Sequence, residues 1–468
     1  MFKSLLMAVL IVALSWTPSF GQSAAAQRLS VDQVASDIGL AREAYSRIHP
    51  GYSRYADEAI LENAWSAVVA QAEKEDGMSK GDFYLAIQKV LTLIRCDHTK
   101  AELPKALRNE RSKTPVYLPC RWQYIDGRGF VTVVSPNSQL EVGDEILAID
   151  GSPLAKRVSE VEVYVPYDGD TNWSREGEIG QSLEFMGGAV DHFGALLWEV
   201  KPEADLRIRR SGTDQSLLVD RIKFDAWKAL GDAKPGARAF KDAVTYKRIG
   251  DEAGYLRIDT FVNYRDPVKP IKLFQPIFKS IQDEQRKFLI LDLRENGGGS
   301  NDVRLCLMAH LITAPLQSKK DMRVSTLDLD GIRKHLWTWD KRALNPNPMG
   351  FKKNGDGTYS LKAFVDEQLQ VTKPAKFAFD GDLIVLTSKA NSSGSTTLSA
   401  VLRANRETTL IGDQTGGSAE GPTAELLFTL TLPESGVRTR VPFIRSYNNV
   451  DEFEPGLGLS PDLSLIHI

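Results

Sequence analysis

Apolar residues recur at helical spacing along the first quarter of the chain. Ser30 precedes VDQVASDIGLAREAYSRIH, in which Val31, Val34, Ile38, Leu40, Ala44 and Ile48 are apolar. That spacing predicts a one-sided helix with Ser30 as its N-cap, stopped at His49-Pro50-Gly51. AILENAWSAVVAQAEKE and the stretch KGDFYLAIQKVLTLIRC after Ser79 predict two more helices. From about residue 115 the period changes to two. TPVYLPCRWQYIDGRGFVTVVSP alternates and turns at Asp126-Gly127, and ADLRIRRSGTDQSLLVDRI reads as a hairpin around Ser211-Gly212. A polar, Gly-rich insertion at about 165–200 separates these β stretches. Its Asp168-Gly-Asp170-Thr-Asn172 partly matches a calcium loop, but Trp173 and Ile179 stand where Gly and Glu are required, so it reads as a turn.

From about 245 short apolar runs alternate with helical patterns. GYLRID, KFLILDLR, DLIVLTS and TTLIGD predict buried strands. VKPIKLFQPIFKSIQDEQ, DVRLCLMAHLIT and STTLSAVLRAN predict the helices between them. Strands spaced by helices imply a mostly parallel α/β layer. The fold class is therefore α/β in an α+β multidomain chain, and 468 residues are too many for one core.

Composition narrows the partners. Lys plus Arg is 58 and Asp plus Glu 61, a net charge of −3, which asks for neither nucleic acid nor an anionic membrane. The N-terminus, MFKSLLMAVLIVALSWTPSFGQSAAAQ, has a basic start, a short apolar stretch and a small-residue run. That is a secretory signal pattern over 1–26, so the mature protein is expected to be exported, periplasmic or secreted, with no stable membrane insertion after signal removal. Cys96, Cys120 and Cys306 form no C-x-x-C and read as free buried thiols; zinc lacks ligands at the required spacing.

Two strand-to-helix junctions can carry chemistry, because ligands of open α/β sheets bind at the carboxyl ends of strands. ILDLRENGGGSNDVR places Gly297–Gly299 after one strand, where backbone N–H groups can approach an anion. LTSKANSSGSTTLSA places several serines after another, where a hydroxyl and the next N–H share one space, as acyl transfer requires. Neither is a nucleotide loop or a G-x-S-x-G elbow. Read without further context, Ser392 and Ser395 are as well explained as helix caps. Among six histidines, His98 stands out: it follows a helix, between Asp97 and Thr99, which can orient its ring.

IHPGYSRY (48–55), IRCDHTKAEL (94–103), VGDEILAIDG (142–151), FLILDLRENGGGS (288–300), VLTSKANSSGSTTLSAVL (385–402), LIGDQTGGSAEG (410–421) and GLGLSPD (456–462) come in one order. Together they resemble the C-terminal-processing, or tail-specific, serine peptidase family, and within it the tricorn-core-like branch that uses a histidine base. The resemblance implies a helical N-terminal domain at 27–112 and a PDZ-like domain at 113–224 enlarged by the insertion. It implies a catalytic core of the ClpP/crotonase-like kind at 225–468. It implies Ser393 as nucleophile, with Gly394 and one of Gly298 or Gly299 as oxyanion donors. Ser418 stands where the Ser–Lys branch has its lysine, so the resemblance implies His98 as base, with Glu454 supporting it and Glu452 or Asp451 as substitutes. It implies a peptide or protein substrate, no metal or organic cofactor, and leaves room for an oligomer. The rival expectations are a non-catalytic binder of peptides or apolar ligands on the same fold, and a small-ester hydrolase.

Overall fold

A computed structural model describes residues 26–464 apart from 183 and 232–238. The expected signal peptide falls, up to residue 25, outside the described residues. No helix among the described residues is long and apolar enough to cross a membrane.

The three N-terminal helices form where the apolar spacing predicts them, at Val31–Ile48, Glu58–Lys74 and Lys80–Thr92. Ser30 closes a capping box with Gln33, and Ser79 caps the third helix by accepting from the Asp82 N–H at 3.0 Å. The next unit is an antiparallel sheet of Cys120–Ile125, Arg128–Val134, Glu145–Ile149, Glu203–Arg210 and Thr213–Asp220, ordered as in the chain, with Ser152–Pro153 pairing at the side. Both predicted hairpins are present, with Asp126 and Ser211 at positive φ in their turns. The insertion is less polar in space than in sequence. It contains the helix Ala189–Leu197, whose His192 and Phe193 are buried.

The core begins with Val244–Ile249, which pairs antiparallel with Ala253–Ile258. Phe288–Asp292, Asp382–Thr387 and Thr408–Gly412 then add in parallel, as the α/β pattern requires. The helices Ile271–Asp283, Asn301–Leu311 and Ser393–Asn405 pack on this sheet around Phe274, Phe278, Leu307 and Leu398.

A second, seven-stranded sheet accompanies the core. It is built on the long antiparallel pair Thr423–Thr431 and Arg438–Asn448, with Lys319–Val324 beside them. Ala101–Glu102 joins the same sheet by pairing with Thr439 and Arg438. That short strand lies three residues past His98, so an N-terminal segment is stitched to the C-terminal half. The three cysteines are free, with Cys96 and Cys120 buried.

Candidate active site

The strand Asp382–Thr387 ends on the serine stretch, and its conformation is fixed by polar side chains. Asn391 Nδ2 donates to Leu293 O and Asn296 O at 2.5 and 3.0 Å, and Ser395 Oγ donates to Asn296 O at 2.5 Å. The serine loop is thereby clamped to the loop that follows the neighbouring strand. Ser393 comes out half-buried at the first position of its helix, with φ +50°. A non-glycine residue rarely sits in the left-handed region, and such strain gathers at functional sites. Ser392 occupies the N-cap position but makes no capping hydrogen bond. The capping reading of Ser392 and Ser395 is therefore corrected: both hydroxyls reach across to other loops.

The triple-glycine stretch faces this turn. Gly298 and Gly299 have φ of +97° and +140°, and a Cβ on Gly298 would lie 2.7 Å from Gly394 N and 3.0 Å from Ser393 Cβ. Only glycine permits so close an approach. The Gly298 N–H is already donated to Asn296 Oδ1 at 2.8 Å. Among the described residues the N–H groups of Gly299 and Gly394 have no protein acceptor. They lie close together, with Gly299 N 3.6 Å from where a Cβ on Gly394 would stand. Two unpaired donors beside a strained serine are what an oxyanion hole needs.

His98 sits on the turn after the third helix, one-fifth exposed. Its loop is held by His49, which accepts from Gly51 N at Nδ1 and therefore carries its proton on Nε2, facing Thr99 Oγ1 at 3.0 Å. Burial lowers the His49 pKa to about 3, so this ring is neutral. His98 Nδ1 lies 2.5 Å from Asp97 Oδ1, off the direction of a hydrogen bond, so the contact is electrostatic. Burial alone disfavours the His98 cation, but Asp97 outweighs it and raises His98 well above an ordinary imidazole. Burial likewise opposes the Asp97 carboxylate, and His98 together with the Ser392 hydroxyl holds it well below the usual range. Ser392 Oγ donates to Asp97 Oδ2 at 2.5 Å, so the turn that carries His98 and the loop that carries Ser393 touch. No hydrogen bond joins Ser393 to His98 in this state.

Glu454 is not where the sequence expectation needs it. Asp451, Glu452 and Glu454 are all exposed, and no contact joins them to His98 among the described residues. The reason is the local turn, in which Leu457 N bonds to Glu454 O at 3.1 Å and the glutamate points outward. The acid that turns inward here is Glu420, which takes the Gly456 N–H at 3.1 Å, pairs with Arg54 and accepts from Tyr55 at 2.8 Å. Asp168 of the insertion lies in the same buried group, accepting from Ser418 N at 2.9 Å. Burial first, and Asp97 second, push its pKa to about 6. Lys389 is turned away from Ser393 and pairs with Glu176 at 2.7 Å. Asp462 holds the Leu410 N–H at 2.7 Å, a structural role. Sequence reasoning did not find Arg54, Asp168, Glu420 or the bonding of Ser392; only Asp97, next to His98, was visible.

Residues 252–465 match the model of peptidase family S41, and residues 114–227 match that of a PDZ domain. No curated protein sequence matches the chain. Among solved structures, mature CPAF is similar over 92% of this chain and 93% of its own, at 16% identity and a TM-score of 0.60. Mature CPAF complexed with lactacystin is similar over 92% and 94%, at 16% identity and a TM-score of 0.57. The photosystem II D1 C-terminal processing protease covers 92% and 93% at 16% identity, with a TM-score of only 0.42. Over its core, residues 252–465, the chain is similar to peptidase family S41, a family of serine peptidases, and a PDZ domain precedes that core.

Proposed function

We propose that this chain is an exported serine peptidase in which Ser393 is the nucleophile, His98 the general base, and Gly394 and Gly299 the oxyanion donors. The observation that carries the reading is Ser393 itself: a half-buried serine at φ +50°, beside two unpaired N–H groups. Ser393 Oγ attacks the scissile carbonyl while His98 Nε2 takes its proton. The tetrahedral oxyanion is stabilised by the two N–H groups, each worth about 3–4 kcal/mol. His98 then protonates the leaving amine, and water hydrolyses the acyl-enzyme. The base turn and the nucleophile loop already meet through Ser392, and catalytic hydrogen bonds commonly tighten only with substrate bound. No step calls on a metal or an organic cofactor.

The same reading divides the chain into a signal peptide at 1–26, a helical domain at 27–112, a PDZ-like domain at 113–224 and a catalytic core at 225–468. A peptide or unfolded-protein substrate fits the PDZ domain, which takes extended peptides by strand addition.

A fluorophosphonate probe tests the nucleophile. Wild-type protein should be labelled at Ser393 and should cleave an unstructured polypeptide, and Ser393→Ala should do neither. An unlabelled wild type with its fold intact supports the binding-protein alternative, and turnover of p-nitrophenyl esters without peptide cleavage supports the esterase. N-terminal sequencing of the protein recovered outside the cytoplasm tests export.

A further inference from the structure

We infer that Asp97, and not Glu454, is the positioning residue for His98, and that through Ser392 the same carboxylate holds the base against the nucleophile loop. This inference rests on the Ser393–His98 reading and deepens it. The two Asp97 oxygens are used separately. Oδ1 lies 2.5 Å from His98 Nδ1, and Oδ2 accepts from Ser392 Oγ at 2.5 Å. Ser392 is bonded in the chain to Ser393. One half-buried carboxylate therefore ties together residues nearly 300 positions apart in sequence.

Among the described residues no other acid pairs with His98. The groups facing the pair are Cys96 and Lys100 on its own turn, neutral His49 from the first helix, and Ser392 from the nucleophile loop. Asp168 acts on Asp97 from the insertion, and Arg54 partly offsets Asp168. Glu420, the inward acid nearest the C-terminal turn, is occupied by Arg54, Tyr55 and Gly456 N. In the attack step the Ser393 proton passes to His98 Nε2 and the ring becomes a cation. Asp97 beside Nδ1 keeps the neutral ring's proton there, so that Nε2 is free to take the Ser393 proton, and it then stabilises the cation without itself taking a proton.

The sign of the pH effect follows from the charges. Asp97 raises His98, so the neutral base appears only above the ordinary imidazole range, and the acid limb of activity lies there too. Asp97→Asn removes the anion. Burial then dominates, and the limb moves to lower pH.

The experiment measures the rate of fluorophosphonate labelling against pH for wild type, Asp97→Asn, Ser392→Ala and Glu454→Gln, together with NMR titration of histidine-labelled wild type and Asp97→Asn. Asp97→Asn should lower the plateau rate on the order of 10²-fold or more and move the limb and the His98 midpoint to lower pH. Ser392→Ala, which keeps the carboxylate beside His98, should lose roughly 10-fold in rate and leave the limb within about half a unit. A purely structural Asp97 would lower rates without moving the His98 midpoint. The inference is overturned if Asp97→Asn leaves the limb and midpoint in place, or if Glu454→Gln is the variant that moves them. Failure of wild type to label would instead sink the peptidase reading, and the NMR titration would still decide the Asp97 contact.

Discussion

At the scale of single residues, the glycine loop makes a sharp demand. Gly298 is at φ +97° with Gly394 N and Ser393 Cβ inside 3.0 Å of any added Cβ, whereas at Gly297 the nearest atom, Ala390 O, is 3.8 Å away. Gly298→Ala must therefore displace Ser393, the proposed nucleophile, and a displacement near 1 Å costs about 10²-fold in rate. It should also destabilise the protein by about 1–3 kcal/mol through backbone strain. Gly297→Ala should be close to neutral in both respects. Steady-state kinetics and denaturant melts of the two variants check the contrast; equal effects would mean that the loop is merely intolerant of bulk. The same scale shows what sequence could give. Ser393, His98 and the glycines could be singled out as candidates because each has a chemical type and a motif around it. Where the acids near Glu454 lie relative to His98 depends on which way one turn faces. Leu457 N closes the turn on Glu454 O and sends that side chain outward, a geometry that no spacing of acids encodes.

At the scale of elements, the insertion proves to be a strap across the loops of the site. Gly169 N bonds to Arg95 O at 2.9 Å, Asp170 N to Gly456 O at 2.8 Å, and Thr171 Oγ1 to Gly416 O at 2.5 Å. Lys389 closes the strap onto the serine loop through Glu176, with Asp126 of the first β-hairpin 3.8 Å away. Against burial, Glu176 keeps this lysine protonated, so Lys389 cannot serve as a base. Lys389→Ala should keep peptidase activity within a few-fold, and as a half-exposed pair it should cost less than about 1 kcal/mol. Abolished turnover in that variant, with Ser393 still present, would overthrow the histidine mechanism. The strap was legible only as a polar stretch, because two of its bonds run from the backbone N–H groups of Gly169 and Asp170, which any sequence possesses, and its side-chain bonds reach partners far away in sequence. The α/β elements were legible because burial on both faces forces continuous apolar runs such as KFLILDLR. The second sheet was not anticipated. Its strands Leu336–Trp337, Phe351–Lys353 and Tyr359–Leu361 are too short for periodicity to register.

At the scale of the whole molecule, the apolar interior forms two clusters, and the site lies on the seam between them. Ser393 and the glycines come from the parallel sheet with its helices. His98 is carried by the other body, in which the N-terminal helices, the PDZ domain and the seven-stranded sheet share one apolar cluster. Lys319 crosses the seam. It starts from the seven-stranded sheet and its Nζ lies 3.2 Å from Thr397 Oγ1, one turn below Ser393 on the nucleophile helix. On its own side it meets Ser446 Oγ at 3.1 Å, Asn448 Oδ1 at 2.7 Å and Glu425 at 3.8 Å. Burial lowers its pKa to about 7, against 10.5 for an exposed lysine. Between those two values the unfolded chain holds a proton that the folded protein has released, so Lys319 makes folding more favourable as pH rises from about 7 to 10.5. Lys319→Met takes that slope away and leaves the buried Asn448 Oδ1 without its donor, a loss of about 1–3 kcal/mol. Denaturant melts of wild type and Lys319→Met should therefore differ at pH 7 and differ more at pH 9.5. The rate of Ser393 labelling should fall with the stability, since the pin that seats the nucleophile helix is gone. A stability gap that stays constant between pH 7 and 9.5 would show that Lys319 is charged in the folded protein and would overturn this reading.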